Sequence, residues 1–458
     1  MRRLQEQAER QGTGLYALFL DWEKAFDKIH PQSLLAALRR FGVQEEFVQL
    51  IHSIYQQPQF QVRAMGHTST TKVARSGIRQ GCPLSPYLFL VVHSAIMHDV
   101  QERLTAGGTQ QLPWIHSQRH PLFDLAYADD TVIVCKSAQK TQEILQHIEA
   151  VAAQYNLSLH QGKCELLRLN VTQPVLFTSG MPVKVKNSVT YLGVTLRADG
   201  KSHTDVAKRI AKARAGYKQL QKFWRHTDIP TQWKLKVFNT VFVPMLTYGM
   251  ESAALTAQDL HSLDSIQADC LRKVINIKST YFTKVLNPTA TTYTNQQVTQ
   301  HAKQRPLSQQ ITQQQIKFLG HLLRSDTDQL EFHSFLTAAF VYRAGSRSGS
   351  DRRGRPRGHW IEQVCHSVWD RLKLSQHVIS TYSPQLCFPH CLLQFRNIAA
   401  NRAFWGRLSK LPTCSGAQDI PVVHTSHSER TTLASTYGSA KNCASATGIE
   451  RIPVCSVS

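Results

Sequence analysis

Acidic residues are scarce in this sequence: 31 Asp and Glu stand against 53 Lys and Arg over 458 residues, a net charge of +22. Such an imbalance favours a polyanionic partner, either nucleic acid or an anionic membrane surface. Long apolar runs are also missing. No stretch approaches the ~18 consecutive apolar residues that a membrane-spanning helix needs. Met1 to Arg10 contains no apolar signal core, which argues against secretion. The ten cysteines show no paired spacing. That excludes a disulfide framework and suits reduced thiols in the nucleus or cytoplasm. Cys387-Phe-Pro-His-Cys391 is a local cluster, but no second matching pair makes it a zinc site. No internal repeat is visible, so a solenoid is excluded. Apolar residues make up an ordinary 42%, enough for a sizeable core spread over two or three domains.

Among so few acids, two adjacent ones stand out. Asp129 and Asp130 separate the apolar run Leu122–Tyr127 from the run Val132–Cys135. Both runs read as strands, and the short polar break between them as a hairpin tip. Two carboxylates held that close repel unless a cation neutralises them, and hard oxygen ligands suit Mg²⁺. A solvated turn carrying two acids is the competing reading at this point. Upstream, Leu15–Leu20 is a continuous apolar run that ends in Asp21 and reads as a buried strand. If it lies beside the hairpin, three carboxylates converge at one sheet edge and could hold two metal ions for phosphoryl transfer.

The intervening chain reads as helices and hairpins. Pro31 suits the first turn of a helix carrying Leu34, Leu35, Leu38 and Phe41. Phe47, Leu50, Ile51 and Ile54 mark the apolar face of a second, and the residues on either side of Gly66 a hairpin. Ser76 to Pro86, with two glycines, two prolines and two serines, is a shaped loop leading into an apolar helix through Leu88, Phe89, Val92 and Ile96. Ser137 can cap a helix bearing Ile144, Leu145, Ile148, Val151 and Tyr155. Short strands follow from Cys164 to Thr195. From Ser202 the pattern is helical, with helices expected over Thr204–Arg225, Thr231–Met250 and Ala257–Ile277 and another around Ile316–Leu323. Ser279 to Gln310, rich in Thr, Gln and Asn, reads as a linker or a late-ordering segment. Arg343 to Arg357 is a flexible arginine-rich segment suited to phosphate contact without base reading.

These motifs, in this order, resemble the reverse transcriptase of non-LTR (LINE-type) retrotransposons. The resemblance rests on Phe19–Ile29, Ser76–Pro86, Ala126–Asp130 and Tyr191–Val194, and continues weakly through Phe242–Glu251, Phe318–Arg324 and Gly354–Trp360. It implies an α+β polymerase palm, an RRM-like antiparallel sheet with helices on one face, followed by an α-helical thumb and a basic, partly disordered C-terminal region. The expected boundaries are palm with the last part of the fingers 1–200, thumb 201–278, polar linker 279–310, helical basic region 311–410 and disordered tail 411–458.

The resemblance also implies roles. Asp21, Asp129 and Asp130 match the metal-binding acids, with Mg²⁺ as cofactor. Phe26 matches the aromatic that excludes a ribose 2′-hydroxyl, though as a residue it also reads as core. Gln80, Gly81 and Pro83 fall in the loop lining nucleotide and template. Lys163 matches a general acid for pyrophosphate; otherwise it reads as a surface lysine. Tyr191, Leu192 and Gly193 match the primer grip. Asp27 reads as capping or pairing near Lys24 and Lys28 rather than as a metal ligand. Arg352, Arg353, Arg355 and Arg357 are assigned to nucleic-acid binding. The implied partners are an RNA template, a DNA primer or RNA–DNA hybrid, and dNTPs.

With one strand ahead of Asp21, the chain reads as N-terminally truncated, lacking most of the fingers and the endonuclease, and its polymerase activity as impaired. Two other functions stay open: a catalytically inactive nucleic-acid-binding remnant, and a maturase-like splicing factor.

Overall fold

The computed structural model describes residues 1–74, 76–106, 124–287, 289, 292–325, 359–374 and 395–411. Its elements, in chain order, begin with α1 (Arg2–Gln11), β1 (Leu15–Leu20), α2 (Ala25–Lys28), α3 (Pro31–Arg40) and α4 (Glu45–Tyr55). Four two-residue strands follow: β2 (Gln59–Phe60), β3 (Arg63–Ala64), β4 (His67–Thr68) and β5 (Lys72–Val73). Next come α5 (Ser85–Ala106), β6 (Asp124–Tyr127), β7 (Asp130–Cys135), α6 (Ala138–Gln154), β8 (Glu165–Leu169), β9 (Lys184–Lys186), β10 (Ser188–Tyr191) and β11 (Val194–Arg197). The rest is helical: α7 (His203–Gln219), α8 (Gln221–Arg225), α9 (Thr231–Val237), α10 (Val243–Thr247), α11 (Ala257–Val274), α12 (Thr280–Leu286), α13 (Asn295–His301), α14 (Leu307–Arg324), α15 (Trp360–Leu374) and α16 (Arg402–Leu408).

The central sheet has the order β6-β7-β1-β8-β9, antiparallel except for the β8–β9 pair. All six residues of β1 are buried, as its unbroken apolar run requires of a strand covered on both faces. Period-two alternation divides it. Tyr16, Leu18 and Leu20 join Ile133, Leu166 and residues of α3–α6 in one core. Leu15, Ala17 and Phe19 join Val132, Val134 and Leu167 in another, where Leu4 and Ala8 of α1 and Val189 and Leu196 of the β10–β11 hairpin close the opposite face. The sheet is therefore covered by helices on one face, as expected, and by α1 and a hairpin on the other.

Local chemistry sets the helix starts. Pro31 stands in the first turn of α3, and the Ser137 side chain accepts from the Lys140 amide to cap α6. Three expectations are corrected. On α4, Val48, Ile51 and Tyr55 face the core, whereas Phe47, Leu50 and Ile54 are exposed. The helix carries two apolar stripes about 100° apart, and only one is packed. The single helix expected over Thr231–Met250 is split by a π-turn at Phe238–Phe242. Pro244 supplies the cause, because its ring and missing N–H disrupt the regular ladder one turn earlier. The segment read as a linker, 279–310, holds α12, α13 and the start of α14. Its polar side chains cap and bridge: Thr294 and Gln297 form a reciprocal capping box, and Gln267 of α11 donates to Arg305 O and accepts from Leu307 N, both at 2.9 Å.

The helical core that begins at Val206 consequently runs on through Val298, Ala302, Leu307 and Ile311, past the expected thumb boundary at 278. A further core joins Ile316–Leu323 of α14 to Trp360 and Trp405. There, a Cβ added to Gly320 would lie 2.1 Å from Trp405 Nε1, which donates to Ile316 O at 2.9 Å. In an isolated helix Gly→Ala is favourable by about 1 kcal/mol. Here overpacking costs on the order of 1–3 kcal/mol and wins. Gly320→Ala is expected to lower the midpoint of thermal unfolding; a raised midpoint would show that Trp405 yields without cost.

Candidate active site

β1 and β7 run antiparallel with Leu20 opposite Thr131 and Phe19 opposite Val132. One step further along this register sets Asp21 opposite Asp130. Asp129 lies in the hairpin turn between β6 and β7, next to Ala128, whose φ of 53° is left-handed. A non-glycine residue there carries about 1–2 kcal/mol of strain. The three acids thus meet at one end of two neighbouring strands. Burial first, then the charges of Asp129 and Asp21, push the Asp130 carboxyl above its ordinary range. Carboxylates that are partly buried beside other negative charges respond in this way. Carboxylates at one strand end are the oxygen donors a hard divalent cation takes, although the Asp21, Asp129 and Asp130 side chains do not form a group whose oxygens all lie within 4.8 Å of one another.

Lys163 is held beside this cluster by a tight turn. Its amide donates to His160 O (2.9 Å), and the His160 amide donates to Asp21 O (2.8 Å). The Asp21 amide in turn donates to Cys164 Sγ at 3.5 Å. Lys163 Nζ stands 3.8 Å from Asp21 Oδ2, and both side chains are substantially exposed. A pair of this kind contributes at most about 1 kcal/mol.

The loop of Gln80, Gly81 and Pro83 is fastened to the segment that follows Asp21. Gly77 N donates to Ile29 O (2.8 Å) and Ile78 N to Phe26 O (2.7 Å). Gln80 Nε2 donates to Asp27 Oδ1 at 3.1 Å, so Asp27 pairs across to the loop rather than with Lys24 or Lys28. Lys28 pairs with Glu23 at 2.6 Å. Gly77 has a φ of 94°, and a Cβ there would sit 2.7 Å from Asp27 O, so a side chain would be excluded twice over. Gln80, Gly81 and Pro83 are all exposed. Phe26 is half-buried and stacks on Phe89 with ring centroids 5.1 Å apart, so its core role is real on at least one face.

The β10–β11 hairpin reaches the same end of the sheet. The Tyr191 ring packs edge-on to Phe19 at 5.5 Å, and burial followed by the charge of Asp130 raises its hydroxyl pKa. Leu192 and Gly193 form its two-residue turn, with φ of 47° and 73°. Arg352, Arg353, Arg355, Arg357 and the Cys387–Cys391 cluster lie outside the described residues.

Sequence reasoning missed what stands behind the acids. Alternation turns Trp22 and Thr131, the neighbours of Asp21 and Asp130, to the helical face. There Trp22 Nε1 donates to Thr131 Oγ1 (3.2 Å), and His93 Nε2 of α5 lies 2.9 Å from the same oxygen. Burial lowers the His93 pKa to about 4. The ring is therefore neutral, and one threonine ties the segment after β1, β7 and α5 together. The only signal in the sequence is a polar residue on an otherwise apolar stripe, Phe89, Val92 and Ile96.

A mostly antiparallel sheet thus carries three carboxylates and a lysine at one end, with helices behind it. Residues 1–196 match the family described as reverse transcriptase (RNA-dependent DNA polymerase). Over 270 residues the chain is 25% identical to the Retrovirus-related Pol polyprotein from type-1 retrotransposable element R2 of Popillia japonica, spanning 56% of this chain and 42% of that one. Over 276 residues it is 25% identical to the RNA-directed DNA polymerase from mobile element jockey of Drosophila melanogaster, spanning 56% and 28%. Among solved structures, telomerase from Candida albicans aligns at 13% identity over 69% of this chain and 49% of that one, with a TM-score of 0.33, a likeness that carries no argument. The chain spans less than half the length of these curated relatives. Among the described residues, no helix is long and apolar enough to cross a membrane.

His93 makes stability depend on pH. An unfolded histidine takes up its proton near 6.5 and this folded one near 4. The histidine therefore leaves stability undiminished above pH 6.5 and lowers it as pH falls toward 4, by about 3 kcal/mol in all. Denaturant unfolding of the wild type and His93→Gln between pH 7 and 4 should show a steeper loss in the wild type. Parallel curves would mean that His93 is not buried neutral.

Proposed function

We propose that this chain is the palm and thumb of an RNA-directed DNA polymerase of a non-LTR retrotransposon, acting by Mg²⁺-dependent nucleotidyl transfer. The observation that carries the reading is the β1–β7 register, which sets Asp21 opposite Asp130 with Asp129 in the adjoining turn. In the reaction the 3′-hydroxyl of a DNA primer attacks the α-phosphorus of a dNTP, and pyrophosphate leaves.

Asp21, Asp129 and Asp130 would hold the metal ions. When bound, these supply charge neutralisation for the attacking and leaving oxygens. The chain's own residues do the rest. Lys163, 3.8 Å from Asp21, would donate a proton to the departing pyrophosphate. Phe26, fixed from behind by Phe89, would stand against a ribose 2′-hydroxyl and favour deoxynucleotides. Gln80, Gly81 and Pro83 would line the nucleotide and template, and the Tyr191–Gly193 turn would grip the primer end. The net charge of +22 suits an RNA–DNA hybrid as partner, and Arg352, Arg353, Arg355 and Arg357 are assigned to its phosphates.

The test is primer extension on an RNA template with four dNTPs and Mg²⁺, beside Asp129→Ala. The expected result is synthesis by the wild type that falls by at least ~10²-fold in the variant, as removal of a principal charge-stabilising group does. Equal synthesis by the two, or none by the wild type despite salt-sensitive RNA binding, would contradict the reading.

A further inference from the structure

The turn of the β10–β11 hairpin is held by two side chains of the helical region. Tyr248 OH donates to Leu192 O at 3.1 Å, and Arg209 Nη2 donates to Gly193 O at 2.9 Å. The Arg209 guanidinium also lies 5.4 Å from the centre of the Tyr248 ring. Both turn carbonyls are thus taken by donors that belong to α7 and to the residue that follows α10. The fit is close on the other side as well: a Cβ on Gly193 would stand 3.3 Å from the Tyr248 ring.

Arg209 is itself fixed. It is 9% exposed, and its Nε donates to Asp205 Oδ2 at 3.3 Å. The same carboxylate accepts from Arg2 Nη2 of α1 at 3.0 Å, and its other oxygen from the Thr195 amide of β11 at 3.1 Å. Arg2 Nη1 closes the circuit by donating to Gly249 O, next to Tyr248, at 2.8 Å. One buried carboxylate therefore joins α1, β11 and α7 and aims the guanidinium at the turn. A hairpin of two four-residue strands has little stability of its own. The conformation of its tip is set from outside.

We propose that Arg209 and Tyr248 are positioning residues for the primer terminus: they fix the Leu192–Gly193 turn, so that a displacement of α7 or of the Tyr248–Gly249 segment moves the primer's 3′ end. This rests on the reading of that turn as the primer grip. Arginine is the residue suited to the task, because its planar fork can serve Asp205 and a carbonyl at once, which a lysine cannot. Tyr248 is 56% exposed, so removing its hydroxyl leaves the core intact.

The full chain is mixed with a recessed RNA–DNA primer–template carrying 2-aminopurine either at the primer 3′ terminus or at an internal position. Binding is followed by anisotropy and base stacking by 2-aminopurine emission. Three variants are compared: Leu192→Asp in the turn itself, Tyr248→Phe and Arg209→Lys. Expected are weaker binding and altered terminal emission in all three, with internal emission unchanged. For Tyr248→Phe the loss is about fivefold, the equivalent of one neutral hydrogen bond, at an unchanged melting temperature. If Leu192→Asp acts but Tyr248→Phe and Arg209→Lys match the wild type, the turn grips the primer without the clamp, and the proposal fails. If Leu192→Asp is also silent, the turn is not the primer grip and the underlying reading fails with it.

Discussion

Three carboxylates crowded at one end of two strands are a standing electrostatic load. Burial, and then the charges of Asp129 and Asp21, raise the Asp130 pKa above its ordinary range. The sheet bears this load because β1 cannot shift. A one-residue slip would exchange Leu18 for Phe19 between two separate cores, turning every side chain to the wrong face. The register that apolar packing enforces along six residues is the register that brings Asp21 to Asp130. Hydrophobic alternation thus places the acids, and the acids store the charge that a divalent cation would relieve.

The same alternation divides labour at the strand ends. Odd-numbered Asp21 and even-numbered Asp130 share one face, while Trp22 and Thr131 share the other and bond to each other and to His93. The polar bridge lies one residue from each acid, deep in the helical core, where a hydrogen bond lost would leave a buried donor unsatisfied. On the acid face, α1 and the β10–β11 hairpin cover the sheet, and the Asp205 carboxylate binds both to α7. The sheet and the helices after it are consequently linked through charged and polar side chains, not only through apolar contact.

Much of this was legible. The β1 run, the hairpin bearing Asp129 and Asp130 and the Pro31 and Ser137 helix starts all carry local signals, and the structure follows them. What was not legible depends on partners distant in sequence. Gln267 satisfies the backbone near residue 306, and polar capping makes helices of the Thr/Gln-rich stretch 279–310 that composition alone assigns to a linker. The two stripes of α4 are equally apolar, so nothing local says that Val48 and Ile51 face inward while Phe47 and Leu50 do not. Asp27 was expected to pair with its neighbours and instead accepts from Gln80, 53 residues away. Lys163 has no local mark; its place beside Asp21 comes from a turn docked on the end of β1.

The central claim is that Asp21, Asp129 and Asp130 form one divalent-cation centre. Its most direct test is electron paramagnetic resonance of Mn²⁺, titrated into the chain with a primer–template duplex, for the wild type, Asp21→Asn and Asp129→Asn. The account predicts protein-bound Mn²⁺ in the wild type that is lost in either variant, since the two acids serve the same ions from different strands. Bound Mn²⁺ unchanged in both variants would contradict it.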